Sequence, residues 1–355
     1  MSKKVLMKGN EVIAEAAIRA GCKYYFGYPI TPQTEIAHYM AKRLPELGGV
    51  FLQAESETAA INMVYGAAST GVRVMTSSSS PGISLKQEGF SYLAGAELPC
   101  VVVNIVRCGP GLGGILPAQS DYFQTVKGGG HGDYKMIALA PESVQELYEL
   151  TVKAFNLSDK YRMTVMVQGD GILGQMMEAV EFRDCEEIIE VEKPWATTGT
   201  LMEREHNVIT SIYIKPEILE QHNLKLQAKY RMIEQDEVMV EEHNCSDADI
   251  ILVAYGSVAR IAKSVIKLAA EEGIKVGLIR PITLWPYPSK IFDKYVRNVK
   301  AFLTVELSAG QMVEDVRLAV NGRVPVHFYG RMGGMVPTNL EIINKIKEIL
   351  EEGVK

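Results

Sequence analysis

Apolar positions along the chain alternate between two periods. Residues 10–20, Asn-Glu-Val-Ile-Ala-Glu-Ala-Ala-Ile-Arg-Ala, put their apolar side chains on one helical face and stop at Gly21. A short apolar strand follows at 23–26, then a helix opening at Pro32 and running to 44, and a strand at 50–54. A small-residue helix at 57–69, closed by Gly71, leads to a strand at 73–77, a serine run, a helix at 83–94 and a strand at 99–106. Beyond a glycine-rich stretch at 109–133, a helix at 144–157 and a strand at 163–168 complete the series. Nearly continuous apolar strands alternating with helices predict a parallel sheet covered on both faces. The rhythm lapses between about 190 and 246, where Lys-Pro-Trp, the cluster Glu203, Arg204, Glu205, His206 and a charged helix at 214–240 read as a connecting segment lying against another surface. It resumes with strands at 250–254, 275–278, 301–305 and 326–329 and helices at 258–272, 289–298, 312–320 and 340–352, a smaller doubly wound unit. The predicted organisation is a domain over 1–190, a connecting segment over 191–246 and a second domain over 247–355.

Composition narrows the function classes. Of 355 residues, 47% are hydrophobic and 23% charged, the balance of an ordinary globular protein. A formal net charge of -6 without any basic block argues against nucleic acid, which needs clustered Lys and Arg. No window approaches about 18 consecutive apolar residues, and the N-terminus runs into the first helical pattern without an apolar core or cleavage site. The expectation is a cytoplasmic protein with no membrane segment. Five scattered cysteines, Cys22, Cys100, Cys108, Cys185 and Cys245, lack any CxxC or ferredoxin-type spacing. They predict buried thiols and no iron–sulfur cluster on this chain.

Candidate chemistry gathers first at residues 27–35, Gly-Tyr-Pro-Ile-Thr-Pro-Gln-Thr-Glu. Two prolines bracket Ile30 and Thr31 and fix the backbone on either side, so Thr31 is presented at the mouth of a strand-to-helix turn. A hydroxyl held there either reads a ligand or, like Thr34, caps the helix. Two short motifs are weaker. Gly109, Gly111 and Gly114 satisfy GxGxxG after a strand, yet Pro110, Gly113 and Pro117 deny the loop a following helix N-terminus for a pyrophosphate, which disfavours a nicotinamide-dependent dehydrogenase. Gly169-Asp170-Gly171 resembles a metal-diphosphate motif, but Ala-Thr-Thr-Gly occupies positions 196–199 where its asparagine belongs, so no metal site is assigned.

The combination of Tyr28-Pro29-Ile30-Thr31-Pro32, Glu55-Ser56-Glu57, Ser79-Ser80-Pro81-Gly82, Val106-Arg107-Cys108-Gly109-Pro110 and Arg331-Met332-Gly333-Gly334 is more specific than its parts. With it the chain resembles, over nearly its whole length, the alpha subunit of thiamine diphosphate-dependent 2-oxoacid:ferredoxin oxidoreductases, closest to the branched-chain (2-oxoisovalerate) type. The resemblance implies an α/β fold, a pyrimidine-binding-type parallel sheet domain followed by a transketolase-C-terminal-like domain. It implies CoA-dependent oxidative decarboxylation of a 2-oxoacid with reduction of ferredoxin. Thiamine diphosphate would be shared with a beta subunit that holds the diphosphate and Mg2+, while gamma and ferredoxin-like subunits complete the enzyme and 4Fe-4S clusters reside on the partners.

The same resemblance assigns roles. Glu57 matches the family's carboxylate at the pyrimidine N1', with Glu55 as its competitor; two acids favoured by a helix dipole are the plainer alternative. Pro29 and Ile30 would pack near the pyrimidine. Thr31 and Arg107 match the residues that bind the 2-oxoacid carboxylate, against a surface salt bridge as the bland reading of Arg107. The loop with Lys127, three glycines and His131 is a candidate to close over the site, without a catalytic role for His131. A 2-oxoglutarate- or pyruvate-specific enzyme and a non-catalytic assembly subunit remain the rival functions.

Overall fold

Three sheets carry the architecture in a computed structural model that describes residues 4–183 and 188–352. The chain begins with β1 (Lys4–Lys8), α1 (Gly9–Arg19), β2 (Tyr24–Gly27), α2 (Thr34–Glu46), β3 (Val50–Gln53) and α3 (Glu57–Ser69). It continues through β4 (Val74–Ser78), α4 (Ser80–Gly95), β5 (Cys100–Val106), α5 (Tyr122–Val126), β6 (Ile137–Leu139), α6 (Val144–Tyr161), β7 (Thr164–Asp170), α7 (Gly171–Gln175) and β8 (Met177–Glu181). The remainder holds α8 (Pro216–Asp236), β9 (Val240–His243), β10 (Ile250–Val253), α9 (Gly256–Glu271), β11 (Val276–Pro281), β12 (Thr283–Trp285) and a 3-10 turn at Ser289–Lys294. Last come β13 (Ala301–Glu306), α10 (Met312–Val320), β14 (Val326–Gly330) and α11 (Asn339–Glu352).

The seven-stranded sheet has the order β12-β6-β7-β5-β4-β2-β3 and is parallel except at β12, which runs against β6. All seven residues of β5 are buried. Their alternation divides the core: Val101, Val103 and Ile105 pack with α1 and α6, whereas Cys100 and Val102 pack with α3 and α4. The five-stranded sheet, β14-β13-β10-β11-β9, is parallel except at β9, and α9 and α11 cover one face of it. β1 pairs with β8 in a separate antiparallel ribbon.

Several boundaries differ from those the sequence predicts, each for a local reason. α4 opens at Ser80, because the serine run is its first turn and Pro81 fits a position whose N–H has no intrahelical partner. α2 opens at Thr34 rather than Pro32. The helix expected at 289–298 is a 3-10 turn. β1, β6, β8, β9 and β12 escape the rhythm because each is three to five residues long. β9 joins the five-stranded sheet, and β12 crosses back to close an edge of the seven-stranded one.

α8 lies along the end of α4: His222 Nε2 and the Gly95 carbonyl are 2.8 Å apart, and Lys225 and Lys229 both pair with Glu97. The two larger sheets meet through Gln119, whose amide donates to the Tyr255 carbonyl at 2.9 Å and accepts from the Leu307 N–H at 3.0 Å. No helix among the described residues is long and apolar enough to cross a membrane. Cys22, Cys100, Cys108 and Cys245 are buried free thiols; Cys185 lies outside the described residues.

Candidate active site

The carboxyl ends of β3, β2, β4 and β5 form one edge of the larger sheet, where open α/β sheets place ligand groups. At the end of β3 the backbone is extended at Ser56, whose hydroxyl accepts the Ala59 N–H at 3.1 Å and caps α3. Glu57, the first residue of that helix, turns inward and is 6% exposed, while Glu55 faces solvent. Gly82, in the first turn of α4, makes room for it. A Cβ at Gly82 would stand 2.6 Å from Glu57 Oε1 and 2.0 Å from Ser78 Oγ. Among the described residues the buried Ser78 and Ser79 hydroxyls have no partner. One helical turn further, Lys86 is fully buried and its Nζ donates to Thr76 Oγ1 at 3.2 Å. Burial pulls its pKa down to about 8, and the charge of Glu57 acts in the opposite sense.

Arg107 follows β5 and is 8% exposed. Its N–H donates to Ser80 Oγ and its carbonyl accepts from the same hydroxyl, both at 3.1 Å, so β5 and the start of α4 are laced together. The guanidinium donates from Nη1 to the Thr31 carbonyl at 3.0 Å and from Nη2 to the Leu112 carbonyl at 3.1 Å. Among the described residues its buried Nε has no partner and the guanidinium forms no salt bridge. Thr31 and Arg107 are thus neighbours, through the threonine's backbone.

The turn that carries Thr31 is pinned from below. Asn10 and Gln175 both donate to the Pro32 carbonyl, at 2.7 and 3.1 Å, and both reach Glu35. Gln33, not a threonine, is the N-cap of α2 and makes no side-chain cap. Thr34 donates back to the Ile30 carbonyl at 3.4 Å. That leaves Thr31 exposed at the mouth, beside exposed Pro29 and half-buried Ile30.

Arg107 lines a cavity of about 410 Å³. One wall is Ser80, Ser84 and Asp121; the far wall, from the second sheet's side, is Ser308, Gln311 and Met332. Burial raises the pKa of Asp121, which accepts from Asn104 at 2.9 Å. Buried Glu306 shapes the far wall by accepting from the N–H groups of Gln311, Met312 and Val313 and from the Ser308 hydroxyl. Lys86, Asp121, Gln311 and Glu306 were not legible in the sequence. Lys86 within Ser-Leu-Lys-Gln-Glu has the look of a solvated helix face, and its lack of an acid four residues away was the sole signal.

The weaker motifs acquire structural duties. After Gly109, Gly111 and Gly114 no helix begins before α5; Gly113 folds so tightly that a Cβ there would lie 2.0 Å from the Cys108 carbonyl oxygen. Asp170 caps α7 by accepting from Ile172 and Leu173 N–H and is hydrogen-bonded to Ser257 of α9; burial raises its pKa. Lys127 pairs with Asp315, and Gly129 and Gly130 pack on Gln87 of α4. His131 stands edge-on to Tyr92 with ring centroids 5.9 Å apart. Among the described residues a trio of carboxylates with metal-like spacing, Glu142, Glu146 and Glu241, surrounds the buried Arg280 and pairs with it.

Comparison with known proteins agrees with this architecture. A family model described as "Pyruvate flavodoxin/ferredoxin oxidoreductase, thiamine diP-bdg" matches residues 15–242, and "Pyruvate:ferredoxin oxidoreductase core domain II" matches 248–342. The chain is 50% identical over 347 residues to the ketoisovalerate oxidoreductase subunit VorB of Methanothermobacter marburgensis, covering 98% of each chain. It is 36% identical to the 2-oxoglutarate synthase subunit KorA of the same organism, over 98% of this chain and 99% of that one. Among solved structures it is similar to the 2-oxoglutarate:ferredoxin oxidoreductase from Magnetococcus marinus with 2-oxoglutarate, coenzyme A and succinyl-CoA bound. The TM-score is 0.89 at 28% identity, and the match spans 98% of this chain and 66% of that one. A split gene transketolase, at TM-score 0.60 and 13% identity, shares the fold alone.

Proposed function

The chain belongs to the pyruvate:ferredoxin oxidoreductase family of thiamine diphosphate-binding oxidoreductase subunits, and from that premise we propose its substrate and the roles of its residues. The enzyme converts a branched-chain 2-oxoacid of the 2-oxoisovalerate type, coenzyme A and oxidised ferredoxin to acyl-CoA, CO2 and reduced ferredoxin. The observation that carries the substrate is the 50% identity to a ketoisovalerate oxidoreductase subunit, and the residue roles rest on the meeting, at one sheet edge, of a buried acid and a buried arginine.

Thiamine diphosphate, when bound, supplies a nucleophilic carbon and an electron sink for decarboxylation. The residues present fit it: Glu57 is buried against a glycine that a larger side chain would not replace, beside two unpartnered serine hydroxyls. Glu57 would hold the cofactor's pyrimidine through its N1' and would supply the carboxylate that favours the ring's basic tautomer. Pro29 and Ile30 pack near that ring. Arg107 binds the substrate carboxylate, and the Thr31 hydroxyl donates a further bond to it; together they hold the oxo carbon in register and exclude water. The diphosphate, Mg2+ and 4Fe-4S clusters belong to partner subunits, as do the sites that complete the enzyme. The name "subunit" carried by the relatives supports this division.

Reconstituting the complex and assaying 2-oxoisovalerate, 2-oxoglutarate and pyruvate tests the proposal. The branched acid should show the highest kcat/KM, and a preference for either of the others overturns the assignment. The chain purified alone should be colourless and inactive; a brown protein that reduces ferredoxin unaided would contradict the division of labour.

A further inference from the structure

The roles above leave Lys86 unused. Among the described residues it is the only fully buried lysine, and burial of an ammonium group is costly unless an opposite charge or hydrogen bonds offset it. Its one hydrogen bond is to a neutral hydroxyl, Thr76 Oγ1. Glu57 is the complementary case, because among the described residues nothing donates a hydrogen bond to its carboxylate.

The two groups share a frame. Thr76 and Ser78 are two residues apart in β4 and point to the same side of the sheet, and Gly82 and Lys86 are one turn apart on α4. Glu57 abuts the Ser78–Gly82 end of this frame, and the Lys86 ammonium occupies the Thr76 end. Glu57 is the charged group that acts on Lys86. Other charges around α4 are committed elsewhere. Arg107 donates to the Thr31 and Leu112 carbonyls, Asp121 accepts from Asn104, and Glu88 bonds the Tyr92 hydroxyl on the outer face. Cys100 of β5 and Tyr134 beyond Gln87 are neutral groups.

We propose that Lys86 is a positioning residue for the reaction, its buried ammonium holding the Glu57 carboxylate turned to the cofactor. The inference rests on the reading of Glu57 as the pyrimidine-binding acid. A positive charge at this depth attracts the carboxylate across the frame the two residues share. Being buried, it does so without touching cofactor or substrate.

The test uses the assembled complex with wild type, Lys86→Met, Glu57→Gln and the double variant. Thiamine diphosphate affinity, by fluorescence titration, and kcat/KM are both followed from about pH 5 to 9. In Lys86→Met thiamine diphosphate affinity should fall by about tenfold across the range, and the double variant should bind no more weakly than Glu57→Gln alone. Superimposable profiles for Lys86→Met and wild type, with Glu57→Gln impaired, overturn the role of Lys86 alone. So does a changed melting temperature with unmoved cofactor affinity, the mark of a merely structural lysine. If Glu57→Gln binds cofactor and turns over as wild type, the reading of Glu57 itself is what fails. Should Lys86→Met not assemble, Lys86→Gln is read by the same criteria.

Discussion

At the scale of single residues, the site is a problem of fitting charges into a packed edge. Gly82 illustrates it: an alanine there would meet Ser78 Oγ and Glu57 Oε1 well inside contact distance, so the acid must move. Gly82→Ala should lower stability by about 1–3 kcal/mol, measured by denaturant unfolding, and weaken cofactor binding with it. Glu57→Gln is different, since it preserves shape; turnover of the complex should fall by about two to three orders of magnitude while assembly survives. Arg107→Met should raise the KM for the 2-oxoacid by about a hundredfold, with Thr31→Val costing about a tenth of that. Lys86 also predicts a stability signature. Its folded-state pKa, lowered from 10.5 to about 8, means that the unfolded chain binds the extra proton between those values. Stability attributable to this residue therefore rises with pH across that window, and Lys86→Met should out-stabilise wild type below pH 8 by a margin that shrinks toward pH 10.5. Glu57, Thr31 and Arg107 draw notice in the sequence because they sit in short motifs flanked by Pro, Gly and Ser, and the structure brings them to one sheet edge. Lys86 does not: its burial depends on the close approach of α3 to α4, where a Cβ at Gly89 would lie 2.6 Å from Ile61.

At the scale of elements, the signals that succeeded were those with a mechanism inside the element itself. α3 begins where predicted, after a serine that caps it and with an acid in its first turn. Ser56→Ala should cost about 1 kcal/mol in unfolding free energy, read from the denaturation midpoint, because Ala59 N–H loses its acceptor. The failures were elements whose existence depends on a distant neighbour. β6 survives at three residues because β7 and β12 flank it, and β9 because β11 does. α4 opens three residues earlier than its pattern predicts, since a run of serines resembles a loop although here the Ser80 hydroxyl supports a strand end.

At the scale of the whole molecule, the alternating rhythm foretold the layers but not their attachment. Gln119, the Tyr122–Asp315 hydrogen bond at 2.7 Å and the Asp170–Ser257 contact tie the two large sheets around the cavity beside Arg107. None of these pairings has any trace in periodicity, because each joins residues more than eighty positions apart. β12 goes further: three residues that follow β11 directly leave its sheet and complete the other. With α8 gripping the end of α4, the second half of the chain embraces the first from two directions. The molecule therefore behaves as a clasp, and its severable link is the exposed stretch around Leu201 and Met202. Fragments 1–202 and 203–355, produced together, should latch into one particle on gel filtration, whereas 1–246 alone, with its β6 edge bare, should aggregate. A protease that nicks near residue 202 would leave an enzyme that runs as two bands under denaturing conditions and as one body in solution.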